Sequence, residues 1–301
     1  METCSVLSSM YAEPMAGTAP TARGWLLIEH PGPWAAKAMT GSRGIDPEVG
    51  GLVERRAAAA GFRATLIRPP GRTVDVPGAS RTVFLAWTEP GATWMRRLTV
   101  DSVEDLLALD FAALAGAAEP AIGSAFDEHL VLVCTNGKRD RCCATAGRPL
   151  ADALAVRVPG AVWEATHLGG HRFAPTAVVL PDGYVYGRLD ADGAVAALDA
   201  ARTGMMLVDG CRGRSTWSRP AQAAELAVRE EAVEHAADVL AVAEPLEHAE
   251  GVWTVRVDHV DGRTWTVEVT AHAEEPERPE SCGKGLLNPL SMRPRLVMPA
   301  H

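Results

Sequence analysis

Two stretches of the chain share one succession of predicted elements, and this constrains the fold more than any other feature. Each begins with a strand, a helix and a second strand, continues with a hairpin, and ends with a helix. The hairpins are at 85–98, with Pro90-Gly91 in the turn, and at 178–189, with Pro181-Asp182-Gly183 in the turn. A βαβ unit followed by a hairpin and a helix fits a thioredoxin-like sheet. We therefore predict a mixed α/β (α+β) fold with a diverged internal duplication, although an α/β chain can produce this succession by chance.

The predicted elements divide the chain into four parts. Residues 1–20, rich in Ser, Ala, Pro and Gly, are expected to be a flexible, extended leader. Residues 21–120 hold the diverged thioredoxin-like half and residues 121–210 the second half. The helices of these halves are predicted at 47–60, with Gly61 as its C-terminal cap, and at 102–117, 148–156 and 191–202. Residues 211–301 are expected to be a small α+β region with a helix at 221–242, a hairpin around Asp261-Gly262 and an irregular tail from Glu274.

The net charge of the chain indicates which kinds of molecule it can bind. The chain has 29 Lys and Arg against 38 Asp and Glu, a net charge of −9. A nucleic-acid surface needs clustered Lys and Arg, so this composition argues against nucleic acid and suits docking to a basic partner. The apolar runs are strand-sized, far below the roughly 20 residues of a membrane span, and no signal-peptide pattern is present. We expect a cytoplasmic protein without a membrane anchor, in which cysteines are thiols or metal ligands rather than disulfides.

One segment combines cysteine and histidine at the ends of two predicted strands. Cys134 ends the strand at 129–134, and Cys142 and Cys143 follow it after a polar loop. His167 and His171 follow the strand at 161–165. In a thioredoxin-like sheet these strand ends are neighbours, so two thiolates and two imidazoles can converge at one edge. Such a set suits zinc or an iron–sulfur cluster with mixed ligands.

The spacing within this segment bears on what it binds. Gly169-Gly170, between the histidines, disfavours a helix and favours a loop that wraps closely around a bound group. Cys134 and Cys143 form a C-x8-C pattern, which is wider than the short cysteine knuckle of most structural zinc sites. This gap suits a loop that passes over something larger than one ion.

Three runs of residues carry a resemblance to a known family. "VLVCTNGKRDRCCATAGRPL", "VWEATHLGGHRFAPTAVVLPDGYVYGRL" and, near the N-terminus, "GTAPTARGWLLIEHPGPW" resemble the sucrase/ferredoxin-like family, and H-x-G-G-H-R-F-A is the specific part. The resemblance implies a thioredoxin-like ferredoxin domain at 121–210 with a [2Fe-2S] cluster on two cysteines and two histidines. Carried over to this chain, the cofactor and metal ligands are Cys134, Cys143, His167 and His171.

The other cysteines leave the ligand set partly open. The family loop ends in one cysteine, whereas this chain has two in succession; counting from Cys134 favours Cys143 and leaves Cys142 spare. Cys4 and Cys211 are expected to be ordinary thiols. Cys282 is either an exposed thiol of the tail or a residue that folds back towards the cluster.

The resemblance implies a redox carrier rather than a catalyst with its own substrate, and its redox protein partner is unknown. Imidazole ligands raise the potential of a cluster relative to thiolates, and their outer nitrogens can release a proton, so we expect one-electron transfer coupled to a proton. A structural zinc module that serves as an interaction platform is one alternative, and a thiol oxidoreductase that uses Cys142 and Cys143 is another. The sequence shows no phosphate-binding loop, no zinc-protease motif and no convincing carboxylate pair of a glycosidase.

Overall fold

The computed structural model describes residues 2–71, 76, 78–116 and 118–297. Within these ranges the chain forms seven α-helices, numbered in chain order: α1 Cys4–Met10, α2 Ala38–Gly41, α3 Pro47–Ala59, α4 Phe111–Leu114, α5 Arg141–Arg157, α6 Ala191–Arg202 and α7 Arg219–Ala232. Two short 3-10 helices span Glu104–Ala108 and His171–Phe173.

The strands build two sheets. The first sheet contains β1 Gly24–Glu29, β2 Phe62–Arg68, β3 Arg81–Trp87, β4 Trp94–Val100, β5 Ser124–Ala125, β6 Leu130–Cys134, β7 Val162–Ala165, β8 Thr176–Leu180, β9 Tyr184–Gly187 and β10 Cys211–Arg214. The second contains β11 Leu240–Val242, β12 Leu246–Ala249, β13 Val252–His259, β14 Thr264–Ala273 and β15 Leu290–Val297. The expectation of a mixed α/β (α+β) fold is therefore confirmed.

The ten-stranded sheet repeats one arrangement. Its order is β10-β9-β8-β6-β7-β2-β1-β3-β4-β5. In each half the first two strands are parallel, the first and third are antiparallel, and the third and fourth form the predicted hairpin. The common strand order is what an internal duplication predicts. The thioredoxin-like assignment and the domain boundaries stay predictions.

The two halves join where β2 pairs with β7. The pairing is antiparallel and places Ile67 opposite Ala165 and Arg68 opposite Glu164. The Arg68 guanidinium donates to Glu164 Oε2 at 2.6 Å, and Thr135 Oγ1 donates to the same oxygen at 2.7 Å. The half without predicted ligands is thus hydrogen-bonded directly to the strand that leads to His167.

Helix α5 begins earlier than predicted. It was expected at 148–156, but it starts at Arg141, where the Asp140 side chain accepts from the backbone N–H of Cys142 and caps the helix. Pro149 lies inside the helix, although proline normally marks the first turn. Cys142 and Cys143 therefore lie in the first helical turn and do not end a long loop.

Three other expectations about elements are corrected. The helix predicted at 102–117 is broken, because Leu109 is extended and Asp110 caps a separate α4. The helix predicted at 221–242 is shorter, because Val233 adopts a left-handed conformation and the chain turns into β11. The tail from Glu274 is not wholly irregular, since β15 pairs with β14 over eight residue pairs. The hairpin around Asp261-Gly262 and the capping role of Gly61, at φ +82°, are confirmed.

Near the N-terminus, Cys4–Met10 form a helix where an extended leader was expected. Thr3 caps α1 by accepting from the Val6 N–H, and α1 packs against the 3-10 helix that begins at His171. Residues after α1 run along β10, where the Gly17 N–H donates to the Arg212 carbonyl at 3.0 Å. The expectation of an extended segment is therefore wrong for Cys4–Met10.

Candidate metal centre

The ends of β6 and β7 bring the predicted ligands together. Cys134 is the last residue of β6 and lies beside Ala165 of the parallel strand β7. Cys143 approaches from the first turn of α5, and His167 follows β7 by two residues. The ligand atoms of Cys134, Cys143 and His167 all lie within 4.8 Å of one another. Because parallel strands end at the same sheet edge, the topology alone accounts for this convergence.

His171 lies near these three residues, but it is not one of those whose ligand atoms are within 4.8 Å of one another. Its ring centroid lies 5.2 Å from that of His167, and the planes are inclined by 34°. Its Nε2 lies 3.7 Å from Asp140 Oδ2. His171 therefore lies outside the group formed by the other three predicted ligands; the two sulfur atoms are buried and the two rings are partly exposed.

A glycine allows α5 to pack directly on the end of β6. A Cβ atom at Gly147 would collide with the Cys134 carbonyl oxygen. The close approach holds the first turn of α5, and with it Cys143, beside Cys134. Sequence reasoning did not single out Gly147; its signal is only a small residue one helical turn after the cysteine pair.

The loop between the histidines has the conformation that its glycines suggested. Gly169 has φ +84° and Gly170 has φ +67°, and a Cβ at Gly170 would collide with the Arg212 guanidinium. Arg212 Nη1 donates to the Gly169 carbonyl at 3.0 Å, and Arg63 Nη2 donates to the His167 carbonyl at 2.9 Å. The buried Arg212 and the half-buried Arg63 therefore hold this loop in place, and neither was predicted to do so.

The imidazoles have unsatisfied nitrogen atoms. Nδ1 of His167 and Nδ1 of His171 are both buried and have no hydrogen-bond partner among the described residues. A buried polar atom without a partner costs about 1–3 kcal/mol. A metal centre between the rings and the thiols of Cys134 and Cys143 would give both nitrogens a partner, so the donor set fits such a group.

The surroundings shift the pKa values of Cys134 and Cys143 in opposite directions. A hydrogen bond from the Cys143 thiol lowers the pKa of Cys134, against the effect of burial, and a further hydrogen bond from His167 acts in the same direction. The same bond, together with burial, raises the pKa of Cys143. Burial lowers the pKa of His171, although the Asp140 charge opposes the shift. A neutral imidazole and a thiolate are the forms that bind metals.

A second group of thiols lies next to the first. Cys4 Sγ is 3.4 Å from Cys142 Sγ, Cys142 Sγ is 3.3 Å from Cys282 Sγ, and Cys282 Sγ is 3.7 Å from Cys4 Sγ. Asp140 completes the group, in which all ligand atoms lie within 4.8 Å of one another. Cys4 and Cys142 are buried and Cys282 is half-buried, so the expectation of an ordinary thiol at Cys4 is wrong, and of the two alternatives for Cys282 the structure has the one in which the segment folds back.

Cys142 has the environment of a thiolate, whereas Cys211 is an ordinary buried thiol. Hydrogen bonds from Cys4 and then Ser5 lower the pKa of Cys142 to about 5, although burial opposes the shift. Cys211 lies in the apolar core between α6 and the sheet, where burial raises its pKa to about 12. No sequence spacing connects Cys4, Cys142 and Cys282, since 138 residues separate the first two and 140 the last two.

The histidine side of the first group faces a cavity of about 620 Å³. Its lining includes His167 itself and the cations Lys37, Arg63 and Arg139, with Glu54 as the one acid. A small ion or the side chain of a partner can therefore approach the His167 ring from outside, while Cys134 and Cys143 stay covered.

The fold and the site define a mixed α/β protein that carries a Cys/His group suited to a metal at the edge of its sheet. The chain belongs to the sucrase/ferredoxin-like family, whose model matches residues 15–213. A search of the curated proteins and a search of the solved structures each found no match. The matched residues include all four predicted ligands, whereas Cys4 and Cys282 lie outside them. Within the described parts of the chain, no helix has the length and apolar character needed to cross a membrane.

Proposed function

We propose that Cys134, Cys143, His167 and His171 hold a [2Fe-2S] cluster and that the protein is a one-electron carrier. The observation that supports this most is the pair of buried Nδ1 atoms without partners, beside two buried thiols at one sheet edge. When bound, such a cluster takes up and releases one electron, at a higher potential than a cluster with four thiolates. The coupling of this step to a proton stays a prediction, which a measurement of potential against pH tests.

The surrounding residues would hold the ligands in place before the group binds. Arg63 and Arg212 fix the carbonyls on both sides of the histidine loop, and Glu164 fixes Thr135, the residue after Cys134. Such outer contacts restrict the ligand side chains and reduce the entropy lost on binding. The partly exposed imidazoles, not the buried sulfur atoms, face the route to a partner protein.

One observation favours a zinc ion as a second candidate. Cys134, Cys143 and His167 alone lie within 4.8 Å of one another, which a single tetrahedral ion can span. In that case His171 would be the fourth ligand or would remain outside the coordination sphere. The protein would then be a structural zinc module and would transfer no electron.

Analysis of iron, acid-labile sulfide and zinc in anaerobically purified protein tests the proposal. We expect iron and sulfide in equal amounts and an electron paramagnetic resonance signal on reduction by one electron. Cys143→Ser should lose the iron and sulfide, whereas Cys142→Ser should keep them. Cys211→Ala is the matched control, because this thiol lies in a remote apolar core. Zinc without sulfide, lost on the Cys143→Ser change, would assign the site to zinc instead.

A further inference from the structure

Three cysteines from distant parts of the chain converge at the start of α5. Cys4 belongs to α1, Cys142 to the first turn of α5, and Cys282 to the segment before β15. Their three sulfur–sulfur distances are 3.4, 3.3 and 3.7 Å. Both Asp140 carboxylate oxygens lie 4.0 Å from Cys4 Sγ. Four potential ligands of negative charge therefore face one another in a space of a few ångströms.

These distances match the coordination sphere of one ion. Zinc binds thiolates at about 2.3 Å, so two sulfurs on a tetrahedral zinc are about 3.8 Å apart. A disulfide would require sulfur atoms at about 2.05 Å, much closer than any pair here. An iron–sulfur cluster places at most two protein thiolates on one iron atom, so three sulfurs that are all within 3.7 Å of one another fit a single ion better. Soft thiolate ligands in a closed site select zinc over the hard cations.

The surroundings supply the hydrogen bonds that a thiolate site needs. Ser5 Oγ donates to Cys142 Sγ at 3.3 Å. Asp140 is oriented by the N–H groups of Cys142 and Cys282, each at 2.8 Å, and by Ser281 Oγ at 2.8 Å. The N-terminus of the 17-residue helix α5 adds a favourable partial positive charge. Oδ1 accepts only one of these bonds and keeps a lone pair for a metal, whereas Oδ2 accepts the other two.

We propose that Cys4, Cys142, Cys282 and Asp140 bind a single structural zinc ion. Each thiol gives up its proton as its thiolate binds the metal. With four protein ligands the site is closed, as structural zinc sites are, and leaves no position for a substrate. The ion would attach α1 and the segment around Cys282 to α5, next to the first group. The proposal does not depend on the proposed function, because the two groups share no ligand.

Zinc content of the full-length protein tests this proposal. We expect one zinc per chain that Cys282→Ser and Cys142→Ser each remove, while Cys211→Ala retains it. Cys282→Ser is the safer variant, because the side chain is half-buried and lies outside the central sheet. With Cys143→Ser present to disable the first group, addition of Co²⁺ to metal-free protein should give thiolate-to-cobalt charge-transfer absorption, and this absorption should be lost when Cys282→Ser is added.

The Cys143→Ser protein separates this site from the first. Zinc retained in Cys143→Ser but lost in Cys282→Ser assigns the ion to the Cys4–Cys142–Cys282 group, whatever the first group binds. Zinc that disappears with Cys143→Ser and persists in Cys282→Ser overturns the proposal. A wild-type protein that binds neither Zn²⁺ nor Co²⁺ at these cysteines, or that contains a disulfide between two of them, also overturns it.

Discussion

Cys142 and Cys143 are consecutive in the chain, yet their sulfur atoms belong to different groups. Cys142 Sγ lies 3.3 Å from Cys282 Sγ, whereas Cys143 Sγ lies within 4.8 Å of Cys134 Sγ and of a His167 ring nitrogen. Successive residues of an α-helix point about 100° apart, so the first turn of α5 directs one thiol to each side. A helix start shifted by one residue would move one cysteine into the other's place and put a residue without a thiol into its own, and the Asp140 cap fixes that start.

Replacement of Gly170 should weaken the histidine loop. Gly170→Ala introduces a Cβ into the Arg212 guanidinium and a side chain at φ +67°. We expect a loss of about 1–3 kcal/mol of unfolding free energy, together with weaker metal retention. Denaturant unfolding and metal analysis check this. Gly285→Ala is the control, because a Cβ there meets open space; equal stability of the two variants would contradict the prediction.

Loss of Arg68 should destabilise the junction between the two halves. Arg68→Met removes the cation from Glu164, whose side chain is only 5% exposed. A buried charge that loses its partner costs about 3–5 kcal/mol, and the partial exposure of Arg68 places the expected loss at the low end. Chemical denaturation measures it. Arg157→Met, which breaks an exposed pair with Asp192, should change the stability by less than about 1 kcal/mol.

The buried hydroxyl of Tyr184 should stabilise the packing of β9 against α7. It donates to Glu225 Oε1 and accepts from Arg229 Nη2, both at 2.8 Å. Burial, followed by the Glu225 charge, raises the pKa of Tyr184 well above its ordinary value, so the group stays protonated. Tyr184→Phe should cost about 1–3 kcal/mol because Glu225 loses a donor. Tyr11→Phe, at an exposed position, should leave the thermal midpoint unchanged.

Removal of the proposed zinc should release two segments together. With a zinc chelator, protease cleavage is expected within α1 and around Cys282, while the central sheet stays resistant. Mass spectrometry of the fragments identifies the cleavage sites. In Cys282→Ser the same sites should be cleaved without the chelator. Cleavage that the chelator leaves unchanged in the wild-type protein would count against an ion in this position.

The sequence indicates that Cys134, Cys143 and His167 lie close together, because these residues stand at or near strand ends. Cys134 ends one strand and His167 lies two residues after the neighbouring strand, and Gly169-Gly170 carries the backbone signal of a loop. The start of α5 was missed because a proline at position 149 imitates the first turn of a helix. The second group was missed for a different reason. Its cysteines come together only through tertiary packing, which no local spacing records.

The 3.7 Å separation of Cys4 and Cys282 has a consequence for how the chain matures. This contact closes a loop between residues 278 positions apart, and its formation removes more chain entropy than any local contact. During synthesis the thiol of Cys282 emerges long after Cys4 and Cys142 have been made. The three-sulfur arrangement can therefore form only after Cys282 has been made, and its presence distinguishes such a molecule from one truncated before this residue.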